Sequence, residues 1–519
     1  MAFRYGHREQ RALLPPSIED YVTEIHPVRA YDAFVDTLDF NTLGIDLDED
    51  KVGNAQYDPR AMLKLLVYGY SSGVRSSRKL EKATHENLAF IWLMGGLKPD
   101  HKTIAEFRRK HKKAIKKVLR QCAWMCVELD LIAGNVLFGD GTKMRANAGR
   151  GKTHNRAYYQ GRLQEIDARI DRLLEECEAI DRQEEGLPSL VAMRQDLAQA
   201  QNLKRRIQEA LSVVPESCPR VNLTDPDCRL MRSIQGSHAS YNVQSVVDGK
   251  HGLIVHAEPV QDARDVNPLA RQIDQANQVL PRPCQVACAD AGYADTKELA
   301  KIDEQGIEVI VPSQRQALHK GEKPFSKSHF GYDSEQDVYR CPEGHTLKFA
   351  GTEKPSGKRQ YQIADAGECH RCPHYGKCTK AKRGRKIIRL ADEELKEKLE
   401  AKFQEPGSQE IYALRKTVAE LPFGHMKRNG KMDAFLLRGL AGVGAETSLM
   451  ATCFNLVRMI TLEGVSSLVR KLSALRFRKE LATALQRAGL GPACPSRGPL
   501  LWLRILCGCQ RALLLTPSP

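Results

Sequence analysis

The stretch SYNVQSVVDGKHGLIVHAEPV (240–260) decides how the rest of the chain is read. Two apolar, β-branched segments flank the turn Asp248-Gly-Lys-His-Gly252, which predicts a β-hairpin. Downstream, Asp265 is expected to cap a helix running to about Leu280. QVACAD (285–290) then reads as a short apolar strand, TKELAKIDEQG (296–306) as a helix stopped by its glycine, and IEVIVP (307–312) as another strand. Upstream, NVLFGDGTKMRA (135–146) reads as a strand leading into Asp140 and Gly141. Between that strand and the hairpin, Leu163, Ile166, Ile170, Leu173, Cys177 and Ile180 recur three and four apart, a coiled-coil seam. GLPS (186–189) breaks it. Leu190, Met193, Leu197, Ala200, Ile207 and Leu211 resume it, interrupted at Lys204, so the pair is expected to fold back as an antiparallel helical hairpin.

The chain before residue 130 reads as helical. Pro59 opens the apolar run in YDPRAMLKLLVYGY (57–70), Ser71, Ser72 and Gly73 end it, and RSSRKLEKA (75–83) follows. Pro99 and Asp100 mark another start. From Lys102 to Arg120, Ile104, Phe107, Ile115, Val118 and Leu119 supply an apolar face, while Arg108, Arg109, Lys112, Lys113, Lys116, Lys117 and Arg120 cover much of the rest. A formal net charge of +15 favours a polyanionic partner, although a basic helix face is equally often just solvated. No run of about 18 apolar residues suggests a membrane span, and MAFRYGHREQRALLPPS lacks the apolar stretch of a signal peptide. A cytoplasmic location is the expectation. In that reducing setting the 15 cysteines are read as thiols or metal ligands rather than disulfides.

With 64 acidic residues, a carboxylate needs a placement argument. Asp140 and Asp290 have one: each is expected where an apolar strand (VLFG, VACA) ends at a glycine-containing turn. Facing carboxylates repel unless a cation lies between them, and hard oxygen pairs suit Mg²⁺. Turn-forming or capping aspartates give the same pattern. The cysteines of Cys341-Pro-Glu-Gly-His345 and Cys369-His-Arg-Cys372-Pro-His374-Tyr-Gly-Lys-Cys378 form a zinc-ribbon-like set, with His345, His370 and His374 as substitutes. The alternative is four reduced cysteines in a loop.

The blocks FGDGTKMRANA (138–148), VNLTDPDCRLM (221–231), YNVQSVVD (241–248), ADAGYAD (289–295) and RKTVAELPFGHMK (415–427) resemble those of DDE-class bacterial insertion-sequence transposases. YDPRAMLKLLVYGY (57–70), SSRKLEK (76–82), KPDHKTIAEFRRKH (98–111) and FLLRGLAGVGAETSLMATCFNLVRMI (435–460) fit the same group. The resemblance implies an RNase H-like catalytic core, which agrees with the element order: strand, helical insertion, strand, strand, helix, strand, helix, strand. It makes Asp140 and Asp290 metal ligands and names Glu420 as the third carboxylate. Tyr412, Arg415, Glu420 and Lys427 resemble the group's Tyr–Arg–Glu–Lys pattern and imply DNA contacts. One extra residue separates Arg415 from Glu420, so Lys416 is an equal candidate for the arginine's place.

The expected fold is therefore α/β: an all-helical DNA-binding domain (1–130) before an RNase H-like mixed-sheet catalytic domain (131–465). The latter carries the helical hairpin (150–220) and the Cys-rich segment (335–385) as insertions, and 466–519 form a tail expected to be poorly ordered. The implied chemistry is cleavage of insertion-sequence ends and strand transfer with two Mg²⁺ or Mn²⁺ ions, plus a structural Zn²⁺. The expected partner is double-stranded DNA, at terminal repeats and target, engaged by a homodimer or larger assembly in the bacterial nucleoid, with no membrane. A catalytically silent DNA-binding derivative and an RNase H-like nuclease without strand transfer are the alternatives.

Overall fold

The computed structural model describes residues 17–47, 56–181, 189–233, 236–265, 268–318, 325–354 and 357–487. They fall into two compact units. One comprises Met1–Ala263, Asp274–Pro283 and Thr417–Pro519, the other Arg264–Ile273 and Cys284–Lys416.

In the first unit two N-terminal helices begin at the predicted starts. The Asp58 carboxylate accepts from the Arg60 N–H at 2.9 Å to open Pro59–Ser71, and Asp100 accepts from Thr103 N–H at 2.6 Å to open His101–Lys110. The basic segment beyond Lys102 is three helices, His101–Lys110, Lys112–Ile115 and Val118–Glu128. These helices surround Gly439–Glu463, whose length and apolarity alone suit a membrane span but whose apolar window is 83% buried inside the protein. It packs on Pro59–Ser71 and Val118–Glu128.

The strands of this unit are β1 (Val136–Arg145), β2 (Thr153–His154), β3 (Val221–Asn222), β4 (Arg229–Ser233), β5 (Gly236–Asp248) and β6 (Ile254–Val260). β5 pairs antiparallel with β1 along one edge and with β4 and then β6 along the other. The expected end of the first strand at Asp140 is corrected here. β1 runs on to Arg145 because β5 offers a partner at each position from Leu137 to Arg145, Asp140 lying opposite Ser245 and Gly141 opposite Gln244. Asn455 of the central helix clasps β6, accepting from Ile254 N–H and donating to Ile254 C=O, both at 2.8 Å.

The helical hairpin is Arg156–Asp181 against Ser189–Val213. Ile166, Ile207 and Ala210 are buried in its seam, with Leu163, Ile170, Ala200 and Leu211 packed around them. Lys204, the interruption in the heptads, reaches Asp167 across the seam at 2.7 Å. The side chains of Cys177, Ile180 and Leu190, and the break at 186–188, lie outside the described residues. The expected tail is also corrected: Val465–Arg487 is a helix. Leu468, Leu472 and Leu475 are buried as an i, i+4, i+7 stripe, and Lys479 donates to Thr37 C=O at 3.0 Å. Residues 488–519 lie outside the described set.

In the second unit β7 (Val286–Ala289) and β8 (Glu308–Ile310) pair in parallel across the helix Thr296–Asp303, as a crossover connection requires. The preceding helix begins at Leu269, four residues past Asp265, so Asp265 is not its cap. The Cys-rich segment belongs to a five-stranded antiparallel sheet of β9 (Gly331–Asp333), β10 (Val338–Arg340), β11 (Thr346–Glu353), β12 (Lys358–Ile363) and β13 (Lys386–Arg389), adjacent in chain order. The chain is thus mixed α/β with a helical N-terminal region and both parallel and antiparallel strand pairs.

At the centre of the first unit Glu446 is fully buried, accepting from Tyr70 O–H at 3.0 Å and from the N–H groups of Leu436 and Leu437 at 2.7 and 2.8 Å. Arg75, also buried, stands 3.4 Å away and donates to Lys431 C=O and Ala434 C=O at 2.8 and 2.5 Å. Removing one member of such a pair leaves the other charged and buried. Glu446→Ala is expected to lower unfolding free energy by about 3–5 kcal/mol, measured by denaturant titration, with Glu446→Gln losing less. A loss under about 1 kcal/mol, the range of surface pairs, would show that the pair is not structural.

Candidate active site

Asp140 lies mid-strand on β1 with its side chain half-buried, its Oδ1 accepting from Gly141 N–H at 2.9 Å. Side chains two apart share a strand face, so Asp140 and Thr142 point the same way. Onto that face comes Lys427, whose Nζ donates to Thr142 Oγ1 at 2.5 Å. Burial pushes the Lys427 ammonium below its ordinary pKa, while the carboxylates of Asp433 and Asp140 pull it back up. Lys427 rides on the helix Glu420–Arg428, which begins at Glu420 and tolerates Pro422 because it lies in the first turn. Seven residues make two turns, so Glu420 and Lys427 share one stripe, about 10 Å apart along the axis. Glu420 is exposed at the helix start, where the dipole favours a carboxylate.

In the second unit Asp290 ends β7 as predicted and caps the short turn Ala291–Tyr293, accepting from Gly292 N–H at 2.8 Å. A Cβ on Gly292 would meet Asp290 Oδ1 at 2.8 Å and Asp265 Oδ2 at 3.7 Å, so this position has no room for a side chain. Asp265 thus stands beside the Asp290 turn. No sequence signal marks this, since Asp265 ends no strand. The helix Pro406–Val418 brings up Tyr412 and Arg415, the guanidinium 5.6 Å from the ring centroid. Burial raises the Tyr412 phenol, Arg415 lowers it, and Asp290 and Cys288 raise it further, which puts all four in one neighbourhood. Burial also pushes the Cys288 thiol up to about 12 against the pull of Arg415. Lys416 is exposed on the same helix, so Arg415 is the cation that stands in this group.

Among the described residues no set of three or more His, Cys, Asp or Glu side chains is already arranged to hold a metal ion. Cys341, Cys369, Cys372 and Cys378 nevertheless line one small cavity in the five-stranded sheet unit. On the N-terminal basic face one assignment is corrected. Arg108 is buried, donating from Nη1 to Tyr70 Oη at 3.1 Å and to Arg75 C=O at 3.0 Å, so it is not on the solvent face. Arg109 is exposed and paired with Glu106, Lys112 is half-buried, and Lys113, Lys116, Lys117 and Arg120 are exposed.

Two family models match the chain: a transposase DDE domain over residues 340–460 and a transposase domain, DUF772, over residues 16–110. The first takes in the cysteine cluster, Tyr412, Arg415, Glu420 and Lys427, and the second the N-terminal helices up to Lys110. Both matched stretches are similar to transposase domains, which indicates an insertion-sequence DDE transposase. No curated protein sequence matches it significantly. A cryo-EM structure of piggyBac transposase in a synaptic complex with hairpin DNA aligns over 92% of this chain and 84% of that one. At 10% identity and a TM-score of 0.30 it carries no argument about the fold.

The basic face yields a separable expectation. Replacing Arg109, Lys113 and Lys117 with Ala should flatten the salt dependence of DNA binding, by about 0.9 in log–log slope for each phosphate no longer neutralised, with the thermal midpoint unchanged. Arg108→Ala should do the reverse, lowering the midpoint without changing the slope. Fluorescence anisotropy across a salt series, beside thermal melts, distinguishes the two. An unchanged slope in the triple variant would leave that face merely solvated.

Proposed function

We propose that this transposase cleaves DNA at the ends of its insertion sequence and joins the freed 3′ ends to target DNA, using Asp140, Asp290 and Glu420 on an RNase H-like core. The observation that carries the reading is the seat of Lys427. The DDE family match covers Glu420 and Lys427, and Lys427 is bonded to β1 within electrostatic reach of Asp140. The three carboxylates offer hard oxygen donors of the kind Mg²⁺ or Mn²⁺ takes. The lack of a ready-made cage does not conflict with this, because Mg²⁺ is usually held by one or two carboxylates with water and substrate phosphates completing its shell. When bound, two such ions lower the pKa of the attacking water and stabilise the leaving 3′ oxygen.

The remaining roles belong to the chain's own side chains. Lys427, held by Thr142 and disfavoured as a cation by burial, gains from an incoming phosphate oxygen. Arg415, packed against Tyr412, presents a planar fork suited to a phosphate. Lys416 and the exposed lysines of the N-terminal region contribute charge to a double-stranded partner. Two DNA ends must be handled together, which favours a homodimer or larger assembly on DNA.

The test is cleavage and strand transfer on labelled end DNA with Asp140→Asn, Asp290→Asn and Glu420→Gln. Each should lose chemistry by orders of magnitude while retaining DNA binding, since removing a negative charge lessens repulsion of phosphate. Activity should require Mg²⁺ or Mn²⁺. Full activity in all three variants would overturn the mechanism, and activity in Glu420→Gln alone would displace the third ligand. Cleavage without joining by the unmodified protein would make it a nuclease.

A further inference from the structure

We propose that Cys341, Cys369, Cys372 and Cys378 bind one Zn²⁺ as a tetrathiolate that ties the β10–β11 turn to the segment between β12 and β13. The four sulfurs reach one cavity of about 30 Å³, whose other walls include Phe330, Leu347 and Ile363. Such a space has room for a single ion rather than an organic ligand. Two tight turns present them. Gly344, at φ +84°, lets its N–H reach Cys341 C=O at 2.8 Å while Cys341 N–H reaches His345 C=O at 2.9 Å. On the other side Cys372 N–H donates to Cys369 C=O at 3.3 Å and Tyr375 N–H to Cys372 C=O at 3.0 Å.

A second, independent observation points to a ligand. Backbone N–H groups converge on three of the sulfurs: His345 on Cys341 at 3.3 Å, Arg385 on Cys369 at 3.4 Å, and His374 on Cys372 at 3.5 Å. A neutral thiol is a weak acceptor, whereas a metal-bound thiolate is held by such outer hydrogen bonds. Four thiolates on Zn²⁺ leave a net charge of −2. The chain supplies Lys377, Lys380, Lys382, Arg383, Arg385 and Lys386 around the last ligand.

His345 and His374 are engaged by carboxylates and the His370 ring lies against Tyr375, which favours four sulfurs over a mixed set. His345 stands 3.4 Å from Glu368, and His374 stands 3.1 Å from Glu343 with its ring on Phe325. The sheet also needs a staple. Its buried core is six side chains, Phe330, Tyr339, Leu347, Tyr361, Ile363 and Ile387, with Cys341, Cys369 and Cys378 packed against them. A core that small is where a structural metal adds most. Among the described residues these side chains are not already arranged as a metal-holding group, so the assignment rests on the shared cavity and the N–H···S hydrogen bonds.

The experiment is elemental analysis of the full chain purified without chelator, together with absorption spectra of cobalt-exchanged protein. The expected results are about one zinc per chain and, with cobalt, intense sulfur-to-metal charge transfer with tetrahedral ligand-field bands. Cys372→Ser should lose the metal, while His345→Ala and His374→Ala, which can report even if the cysteine variant fails to fold, should keep both metal and spectrum. Zinc-free wild-type protein, disulfides among these cysteines by mass spectrometry, or loss of the sulfur spectrum in a histidine variant would overturn the assignment.

Discussion

The first unit depends on one buried negative charge. Glu446 is fully buried on the central helix, and the two oxygens of its carboxylate accept from two separate parts of the chain. Tyr70 comes from the second half of Pro59–Ser71, and the N–H groups of Leu436 and Leu437 come from the segment after Glu420–Arg428. Arg75 neutralises it and reaches the same segment through Lys431 and Ala434, while Arg108 joins through Tyr70. An ionised carboxylate without these partners would not stay buried. The folded state therefore requires the N-terminal helices and the 431–437 segment to be in place together.

The central helix is held at its start and along its length by the same kind of economy. At its start Asp225 accepts from Gly439 N–H at 3.2 Å and from Tyr241 O–H at 2.8 Å, and Asp227 accepts from Leu440 N–H at 2.8 Å. Two carboxylates at a helix N-terminus meet both its open N–H groups and its dipole. Burial raises the Asp225 carboxyl above its ordinary pKa, and the Tyr241 and Gly439 hydrogen bonds oppose that rise. Farther along, Asn455 satisfies both backbone groups of Ile254 at the edge of β6. β6 pairs with β5 and β5 with β1, so the strand bearing Asp140 is positioned from the same helix that holds the 431–437 segment.

Features set by neighbouring residues were legible in the sequence. The helix starts at Pro59 and after Asp100, the hairpin 240–260, the strands β7 and β8 and the helical hairpin all follow from local pattern. Features set by distant partners were not. A DG pair resembles a strand end, yet a 13-residue β5 keeps β1 in register past Asp140. Helical periodicity counts every arginine as solvent-facing, yet Arg108 turns inward because Tyr70 Oη and Arg75 C=O await it. The segment after Leu462 matched no recognised block, but a leucine stripe suffices for a helix once Val28–Thr37 offers a surface. Around the carboxylates, Asp290 at the end of its strand was readable. That Arg415 rather than Lys416 stands against Tyr412, and that Asp265 lies beside Gly292, needed three dimensions.

Glu446 and Lys427 show how a buried charge divides between support and chemistry. Both are charged groups withdrawn from water in the same unit. Glu446 is fully enclosed and its oxygens are met by protein donors on all sides, which leaves nothing for a ligand. Lys427 is half-buried, has a neutral hydroxyl as its hydrogen-bond acceptor, and is helped electrostatically by Asp433 and Asp140. Burial works against its charged form, so an approaching anion stabilises it more than it would a solvated lysine. The same carboxylate that steadies Lys427 is the one proposed to bind a cation.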